Sequence, residues 1–204
     1  MYKKPVIVFE GIECSGKSFH INSICNYLKK KKIPFIKLRE PGGSKNSEKI
    51  RKLILDKKSN FTKDTDLLLY LAARSENIDL LKKYYRKRLI IIDRFVDSTI
   101  AYQHYGLGVN LSLIKTINNH LLNNFKVDLT FLNLVNKKNF IQRLKKRKLL
   151  NRYDKFDFKF YMKVQKGFLK LRNINKNKNF LVDSNLDIKK NKEEIKKKIE
   201  DILS

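Results

Sequence analysis

A glycine-rich segment ending in lysine and serine is the most chemically specific feature of the chain. Residues 11–18 read GIECSGKS, which fits the phosphate-binding pattern G-x-x-x-x-G-K-[ST]. Its glycines allow a tight turn whose N–H groups point at phosphate oxygens, and a following helix adds its positive dipole end. We expect Lys17 to reach the β- and γ-phosphates of a nucleoside triphosphate and Ser18 to bind Mg²⁺. The predicted contacts to the triphosphate are Gly11, Glu13, Cys14, Ser15, Gly16, Lys17 and Ser18.

An Asp-Arg pair follows the apolar run at residues 89–92. At the end of a buried strand, Asp93 can hold Mg²⁺ directly or through water, and Arg94 can clamp a phosphate. A simple ion pair at the strand end is the alternative interpretation. The presence of a phosphate loop in the same chain favours the metal and phosphate roles.

Short β-rich apolar runs alternate with longer helical patterns, which is typical of βαβ units. The sequence therefore predicts an α/β fold of the P-loop NTPase type, with a five-stranded parallel sheet flanked by helices. The predicted strands are 6–10, 35–39, 89–93, 129–135 and 180–183. The predicted helices are 17–31, 47–56, 65–85, 111–123, 137–148, 156–173 and 189–203. The carboxyl ends of parallel strands meet at one edge, so the loops that follow them should share a crevice.

Composition indicates a single globular domain, residues 1–204, in a reducing compartment. The chain is 42% hydrophobic and 11% aromatic, which suits one buried core. The longest apolar run, 67–73, is too short to span a bilayer, and nothing at the N-terminus resembles a secretory signal. The two cysteines lack the spacing of a metal site. We expect a cytoplasmic protein that binds no membrane, and we interpret Cys14 as a small loop residue rather than a redox group.

The net charge of +27 raises the possibility of nucleic-acid binding. Lysine is, however, spread through nearly every polar stretch instead of forming one stripe, so we expect no nucleic-acid partner. Arginine is much rarer than lysine, which suggests that it is kept where a planar two-pronged donor is needed.

Several motifs together resemble the thymidylate kinase family across most of the chain. Besides the phosphate loop, they are REPGGS at 39–44, YLAAR at 70–74, DRFVDSTIAYQ at 93–103 and the Arg-rich segment leading to Arg152. The pair REPGG and DR-x-x-x-S-T-x-A-Y-Q is specific to that family among nucleoside monophosphate kinases. The resemblance implies Mg²⁺-dependent phosphoryl transfer from ATP to dTMP, giving dTDP. It also implies a homodimer with a nucleoside monophosphate kinase-like fold and a small lid, about residues 143–157.

The resemblance also assigns the acceptor site. It implies that the thymine edge is read by Arg74, Thr99 and Gln103, with Tyr70 stacking on the ring and Ser98 in the same motif. It implies that the acceptor phosphate is held by Arg39, Arg51 and Arg94. Tyr102 would lie against the sugar and disfavour a 2′-hydroxyl, and Glu13 would lie near the 3′-hydroxyl or the metal.

The catalytic arginine is expected from the lid. One group of the family has an arginine in the phosphate loop where this chain has Cys14, so the chain resembles the bacterial type that supplies it from the lid. The candidates are Arg143, Arg147 and Arg152, with Arg152 favoured. For Arg143 and Arg147 a solvated helix face among lysines is the alternative. The expected catalytic residues are Lys17, Arg94, Arg147 and Arg152, and Arg143 is expected to bind the donor.

Three other functions remain open from the sequence. The first is a kinase for another nucleoside monophosphate or for a nucleoside. The second is a GTP-binding switch, weakened because the guanine-reading pattern N-K-x-D is absent. The third is a nucleic-acid binder driven by the positive charge.

Overall fold

The computed structural model describes residues 4–148 and 150–204, and its centre is a five-stranded parallel sheet. The strands have the order β2-β3-β1-β4-β5. Their bounds are β1 Val6–Glu10, β2 Phe35–Arg39, β3 Leu89–Asp93, β4 Leu129–Leu134 and β5 Asn179–Asp183. In this register Phe9 lies opposite both Asp93 and Phe131. The predicted α/β fold with a five-stranded parallel sheet is confirmed.

Helices cover both faces of this sheet, as the nearly continuous apolar strands require. Their bounds are α1 Lys17–Lys30, α2 Lys45–Leu55, α3 Lys63–Ser75, α4 Ile78–Tyr84, α5 Val96–Thr99, α6 Leu111–Leu122, α7 Lys137–Lys145, α8 Phe158–Ile174 and α9 Ile188–Leu203. On one face α1 and α9 pack with Ile7 and Phe9. On the other face α4 and the end of α6 pack with Val6 and Val8. None of the helices in the described ranges has the length and apolarity needed to cross a membrane.

The single helix predicted at 65–85 is wrong, because the structure divides it into α3 and α4. The break lies at Asn77, whose fully buried side chain serves a neighbouring loop. Its Nδ2 donates to the Gly42 carbonyl (2.7 Å) and its Oδ1 accepts from Ser44 N (3.0 Å). The chain therefore turns where this amide must reach the loop. The other predicted boundaries differ from the structure by no more than three residues.

A helical segment that the sequence did not predict follows β3. Helix α5 continues into a π-helical segment, Ile100–Gly106, closed by a bond from Leu107 N to the Tyr102 carbonyl (2.9 Å). This segment packs against α8 through two glycines that leave no room for a side chain. A Cβ on Gly167 would lie 2.5 Å from Cδ2 of Tyr105, and one on Gly106 would lie 2.8 Å from the Phe160 ring. The close approach fixes the segment that carries Tyr102 and Gln103.

The segment expected to form a lid, residues 143–157, contains the end of α7 and a short 3₁₀ turn, Arg152–Lys155. Asn151 begins the turn: its side chain accepts from Tyr153 N (2.8 Å), and Asp154 accepts from Asn151 N (2.7 Å). This reciprocal pair is a capping box. Residues 1–3 of the expected domain and residue 149 of the expected lid lie outside the described residues.

The substitution Gly167→Ala tests the close packing of the π-helical segment on α8. Alanine normally stabilises a helix by about 1 kcal/mol relative to glycine. Here the new methyl group would lie 2.7 Å from Cγ and 2.8 Å from Cβ of Tyr105, two atoms that a rotation of the ring does not move. We expect the free energy of unfolding in urea to fall by about 1–3 kcal/mol. The neighbouring exposed control Lys166→Ala should change it by less than about 0.5 kcal/mol; a stabilised Gly167→Ala variant would contradict the packing.

Candidate active site

The phosphate loop joins β1 to α1 and holds its lysine inside. Gly16 adopts a positive φ of 85° just before the first turn of α1. Lys17 Nζ donates to the carbonyls of Gly11 and Ile12, both at 2.8 Å. Burial, together with the nearby charge of Arg94, lowers the pKa of Lys17 to about 8. A buried cation whose short hydrogen bonds go to neutral carbonyls is well suited to an incoming anion.

Asp93 and Ser18 provide oxygen atoms beside the loop. Asp93 ends β3 and Ser18 lies in the first turn of α1, and both line the same cavity. Oδ1 of Asp93 is buried and has no hydrogen-bond partner among the described residues. A carboxylate and a hydroxyl are ligands that Mg²⁺ prefers, and such sites complete their coordination with water and phosphate oxygens. The two residues therefore fit the predicted metal role.

Arg94 connects β3 to the phosphate loop. The backbone of Arg94 has a positive φ of 66°. Its side chain donates hydrogen bonds to the Gly11 carbonyl (2.8 Å) and to the Glu13 carboxylate (3.0 Å). The guanidinium lies 5.1 Å from the ring centroid of Tyr102, whose hydroxyl donates to Glu13. Burial alone would raise the pKa of Glu13, but Arg94 and Lys17 hold it below its usual range. This cluster brings together the side chains predicted at the sugar and the acceptor phosphate.

The guanidinium group of Arg74, a residue that lines the cavity, is almost fully buried, since the residue is only 2% exposed. It donates to Glu40 (2.8 Å), to Asn118 (2.5 Å) and to Thr99 (3.0 Å). These partners come from three different elements and fix the plane of the guanidinium. The arrangement suits the recognition of a fixed, planar ligand edge.

Gln103 and Tyr70 line the cavity near Arg74, together with Tyr153, which the sequence analysis missed. The ring of Tyr153 lies edge-on to Tyr70, with centroids 6.2 Å apart. Gln103 is fully buried, and its Oε1 has no partner among the described residues. The only signal for Tyr153 was an aromatic residue inside the charged lid segment, immediately after Arg152.

One cavity of about 470 Å³ connects the phosphate loop with these side chains. All predicted contact residues line it except Gly11, Arg39 and Arg152. Gly11 lies beneath the loop, where a Cβ would come 2.4 Å from the Asn133 carbonyl oxygen. The structure therefore brings the predicted donor and acceptor residues into one site.

Two predicted arginines are paired with carboxylates away from the cavity lining. Arg39 is half exposed and donates to both carboxylate oxygens of Glu48 (3.1 and 2.8 Å). Arg152 donates to Asp66, which is buried on α3. Arg51, by contrast, lines the cavity and donates to the Pro41 carbonyl (2.6 Å).

The other two lid arginines do line the cavity. Arg143 donates to the carbonyls of Cys14 (3.0 Å) and Ser184 (2.6 Å), so it joins α7 to the phosphate loop. Arg147 is one-third exposed and pairs with Asp154 at 2.5 Å. Of the two arginines proposed for catalysis from the lid, Arg147 is the one that faces the phosphate loop's cavity.

A buried carboxylate that was not among the predicted site residues holds the start of α5 in place. Glu10, at the end of β1, accepts from Phe95 N (2.8 Å), from Ser98 N (3.2 Å) and from the Ser98 hydroxyl. Burial and the neighbouring Asp97 raise the pKa of Glu10 to about 7. Burial raises the pKa of Asp97 to about 6. Glu10 thus anchors the start of α5, which carries Ser98 and Thr99.

Comparison with known proteins identifies the family. The thymidylate kinase family matches this chain over residues 9–195. The chain belongs to the thymidylate kinase family. The thymidylate kinase of Sulfurihydrogenibium sp. is 36% identical over 89% of this chain and 90% of its own length. That of Thermosipho africanus is 36% identical over 95% and 96%. The crystal structure of thymidylate kinase from Ehrlichia chaffeensis has a TM-score of 0.78 at 29% identity and covers 97% of this chain and 98% of its own.

These matches confirm the predicted activity, ATP-dependent phosphorylation of dTMP to dTDP. They also confirm the predicted fold of a P-loop nucleoside monophosphate kinase. Among the functions that the sequence left open, they favour a thymidylate kinase over a GTP-binding switch and a nucleic-acid binder.

The carboxylate pair Glu10 and Asp97 generates a stability prediction. Because both pKa values are raised, the folded state binds protons more tightly than the unfolded state. The stabilisation from the neutral pair is complete below about pH 4 and is lost as the pH rises through 6 to 7. We therefore expect the advantage of Asp97→Asn over the parent to grow from near zero at pH 4 to about 2 kcal/mol above pH 7.

Thermal unfolding between pH 4 and pH 8 measures this advantage, which corresponds to about 4–8 °C at high pH for a chain of this size. The exposed control Asp201→Asn should show no such pH-dependent gain. An Asp97→Asn variant that is equally or less stable than the parent at pH 8 would contradict the repulsion between the two carboxylates.

Proposed function

We propose that this cavity holds ATP and dTMP end to end, with the phosphate of dTMP in line with the γ-phosphoryl group. The observation that carries the proposal is that a single cavity is lined both by the phosphate loop and by Arg74 and Gln103. Phosphoryl transfer requires little covalent chemistry from the protein, so correct placement of the two nucleotides accounts for most of the acceleration.

The acceptor base is proposed to lie between Tyr70 and the polar edge formed by Arg74, Thr99 and Gln103. A pyrimidine needs a flat neighbour and a few fixed hydrogen-bonding groups, and the three bonds of Arg74 hold it in one orientation. Tyr102 is proposed to lie against the sugar, where a 2′-hydroxyl would be disfavoured. Glu13, which accepts a hydrogen bond from the Tyr102 hydroxyl, is proposed to lie near the 3′-hydroxyl of the sugar or the metal.

The acceptor phosphate is proposed to bind Arg94 and Arg51, which both line the cavity. Arg94 already forms a bond to the phosphate loop, so it can contact an anion placed between the loop and the acceptor. Arg39 would join them only by leaving Glu48, which is feasible because the pair is solvent-exposed and such pairs are weak.

The donor triphosphate is proposed to bind the phosphate loop, Lys17 and Arg143. Arg147 is proposed as the lid arginine that neutralises charge on the migrating phosphoryl group, because it lines the cavity whereas Arg152 is held by Asp66. Preorganised cations of this kind stabilise the transition state without reorganisation. Arg152 would act directly only after leaving Asp66.

Ser18 and Asp93 are proposed to hold Mg²⁺ with the phosphates. The ion would neutralise charge on the β- and γ-phosphate oxygens. The unpaired Oδ1 of Asp93 supports this assignment, because a buried carboxylate oxygen without a partner is costly in the absence of a ligand.

We also propose a cytoplasmic homodimer, as the family resemblance implies. Leu68 on α3 and Leu113 on α6 are 56% and 44% exposed, and a second subunit would cover such apolar surface. Light scattering tests the assembly: a molar mass twice the 24.3 kDa of the chain is expected. A mass of one chain at micromolar concentration would contradict the dimer.

Substitution of two cations that we propose act on the transferred phosphoryl group tests the mechanism. Lys17→Met should lower kcat for dTMP phosphorylation at least 10³-fold, and Arg147→Ala should lower it at least 10²-fold, because both remove charge stabilisation of the transition state. The exposed Lys30→Met, on the same helix as Lys17, should retain the parent rate. Thermal unfolding establishes that each variant is folded; a folded Lys17→Met enzyme with near-parent turnover would overturn the donor site.

A further inference from the structure

Asp66 is a buried carboxylate that the proposed mechanism does not use. It lies on α3 one turn before Tyr70 and two turns before Arg74, so the three side chains share the face of the helix that is directed at the cavity. Asp66 itself is 1% exposed. A carboxylate at such a position must be fully hydrogen-bonded to be tolerated.

Three donors from two other elements converge on this carboxylate. Oδ1 accepts from Arg152, and Oδ2 accepts from the Tyr153 hydroxyl at 2.6 Å and from Gln103 Nε2 at 3.1 Å. Arg152 and Tyr153 belong to the lid segment, and Gln103 belongs to the π-helical segment. The two lid donors fix the carboxylate in place, so the position of Oδ2 relative to Gln103 is also fixed.

The chemistry of these groups determines which way the Gln103 amide faces. An ionised carboxylate only accepts hydrogen bonds, so Gln103 must direct its NH₂ group at Asp66. Oε1 is then left as a buried acceptor with no partner among the described residues, on a side chain that lines the cavity. A ligand that offers an N–H group would satisfy it, whereas a ligand that offers a second lone pair would leave two acceptors facing each other.

We propose that Asp66 is a positioning residue for acceptor selection: it orients the Gln103 carboxamide so that Oε1 accepts the N3–H of the pyrimidine. Thymine and uracil carry this N3–H, and cytosine has a lone pair at the same atom. The inference rests on the proposed function, because it requires the base to lie at Gln103. It adds to that function a role for Asp66, which determines whether the oxygen or the NH₂ group of the Gln103 carboxamide faces the base.

The substitution Asp66→Asn reverses this polarity in a defined way. Arg152 still requires an acceptor, so the introduced carboxamide should keep its oxygen toward Arg152 and place its NH₂ group toward Gln103. Gln103 then turns its oxygen to that NH₂ group and its own NH₂ group to the base. The variant should disfavour N3–H and tolerate the N3 lone pair of cytosine.

The test compares kcat/KM for dTMP, dUMP and dCMP in the parent, in Asp66→Asn and in the control Asp64→Asn. Asp64 is exposed on the same helix and undergoes the same chemical change. We expect Asp66→Asn to lower the dTMP to dCMP ratio at least tenfold while the dTMP to dUMP ratio stays within threefold of the parent, and Asp64→Asn to retain both ratios. A folded Asp66→Asn enzyme whose rates fall equally for all three acceptors would show a merely structural role and overturn the proposal.

A second measurement uses the parent enzyme alone and does not depend on the folding of a variant. N3-methyl-dTMP has no N3–H, so we expect its kcat/KM to be at least a hundredfold below that of dTMP. Use of N3-methyl-dTMP within threefold of dTMP would overturn the proposal. Failure of the proposed function is distinguishable, because the parent would then not phosphorylate dTMP in either experiment.

Discussion

The site depends on one electrostatic constraint: it contains buried positive side chains whose charge the protein's own contacts compensate only in part. Lys17 and Arg94 are held at one cavity by backbone carbonyls and, for Arg94, by the carboxylate of Glu13. Taking a cation out of water is costly, and these contacts offset only part of the cost. In the proposed complex, phosphate groups would complete this compensation, and the site would be electrostatically most favourable with substrates bound.

The sheet makes this concentration of charge possible. Because Phe9 lies opposite Asp93, the phosphate loop after β1 and Asp93-Arg94 after β3 emerge side by side at the carboxyl edge. The π-helical segment then carries Tyr102 and Gln103 across the same opening. This segment packs on α8 through Gly106 and Gly167 so closely that there is no room for a side chain at either glycine. The packing of this segment on α8 therefore positions the two residues that we propose contact the acceptor.

Local sequence patterns predicted the strands, their parallel arrangement and most of the cavity lining, because these depend on periodicity and on short motifs. They did not predict the break at Asn77, since its amide is committed to a loop more than thirty residues earlier in the chain. They also missed Glu10, Asp66 and Tyr153. Each of these acts through hydrogen bonds between residues that are far apart in sequence, and no local pattern records such a bond.

The arginines illustrate the same limit. The scarcity of arginine suggested that it is kept where a planar two-pronged donor is needed, and five arginines line the cavity: Arg51, Arg74, Arg94, Arg143 and Arg147. The partners of Arg39 and Arg152, Glu48 and Asp66, could not be read from spacing, and these carboxylates keep both arginines out of the cavity lining. Arg147 pairs with Asp154 but remains one-third exposed and lines the cavity, so it is better placed than Arg152 for the proposed contact with the phosphoryl group.

A crystal structure of the enzyme with dTMP and a non-hydrolysable ATP analogue would show whether the two nucleotides share this cavity. We expect the triphosphate on the loop of Lys17, the thymine at Arg74 and Gln103, and the dTMP phosphate beside Arg94 facing the γ-phosphate. Binding of dTMP outside this cavity, or with its phosphate directed away from the triphosphate, would contradict this arrangement.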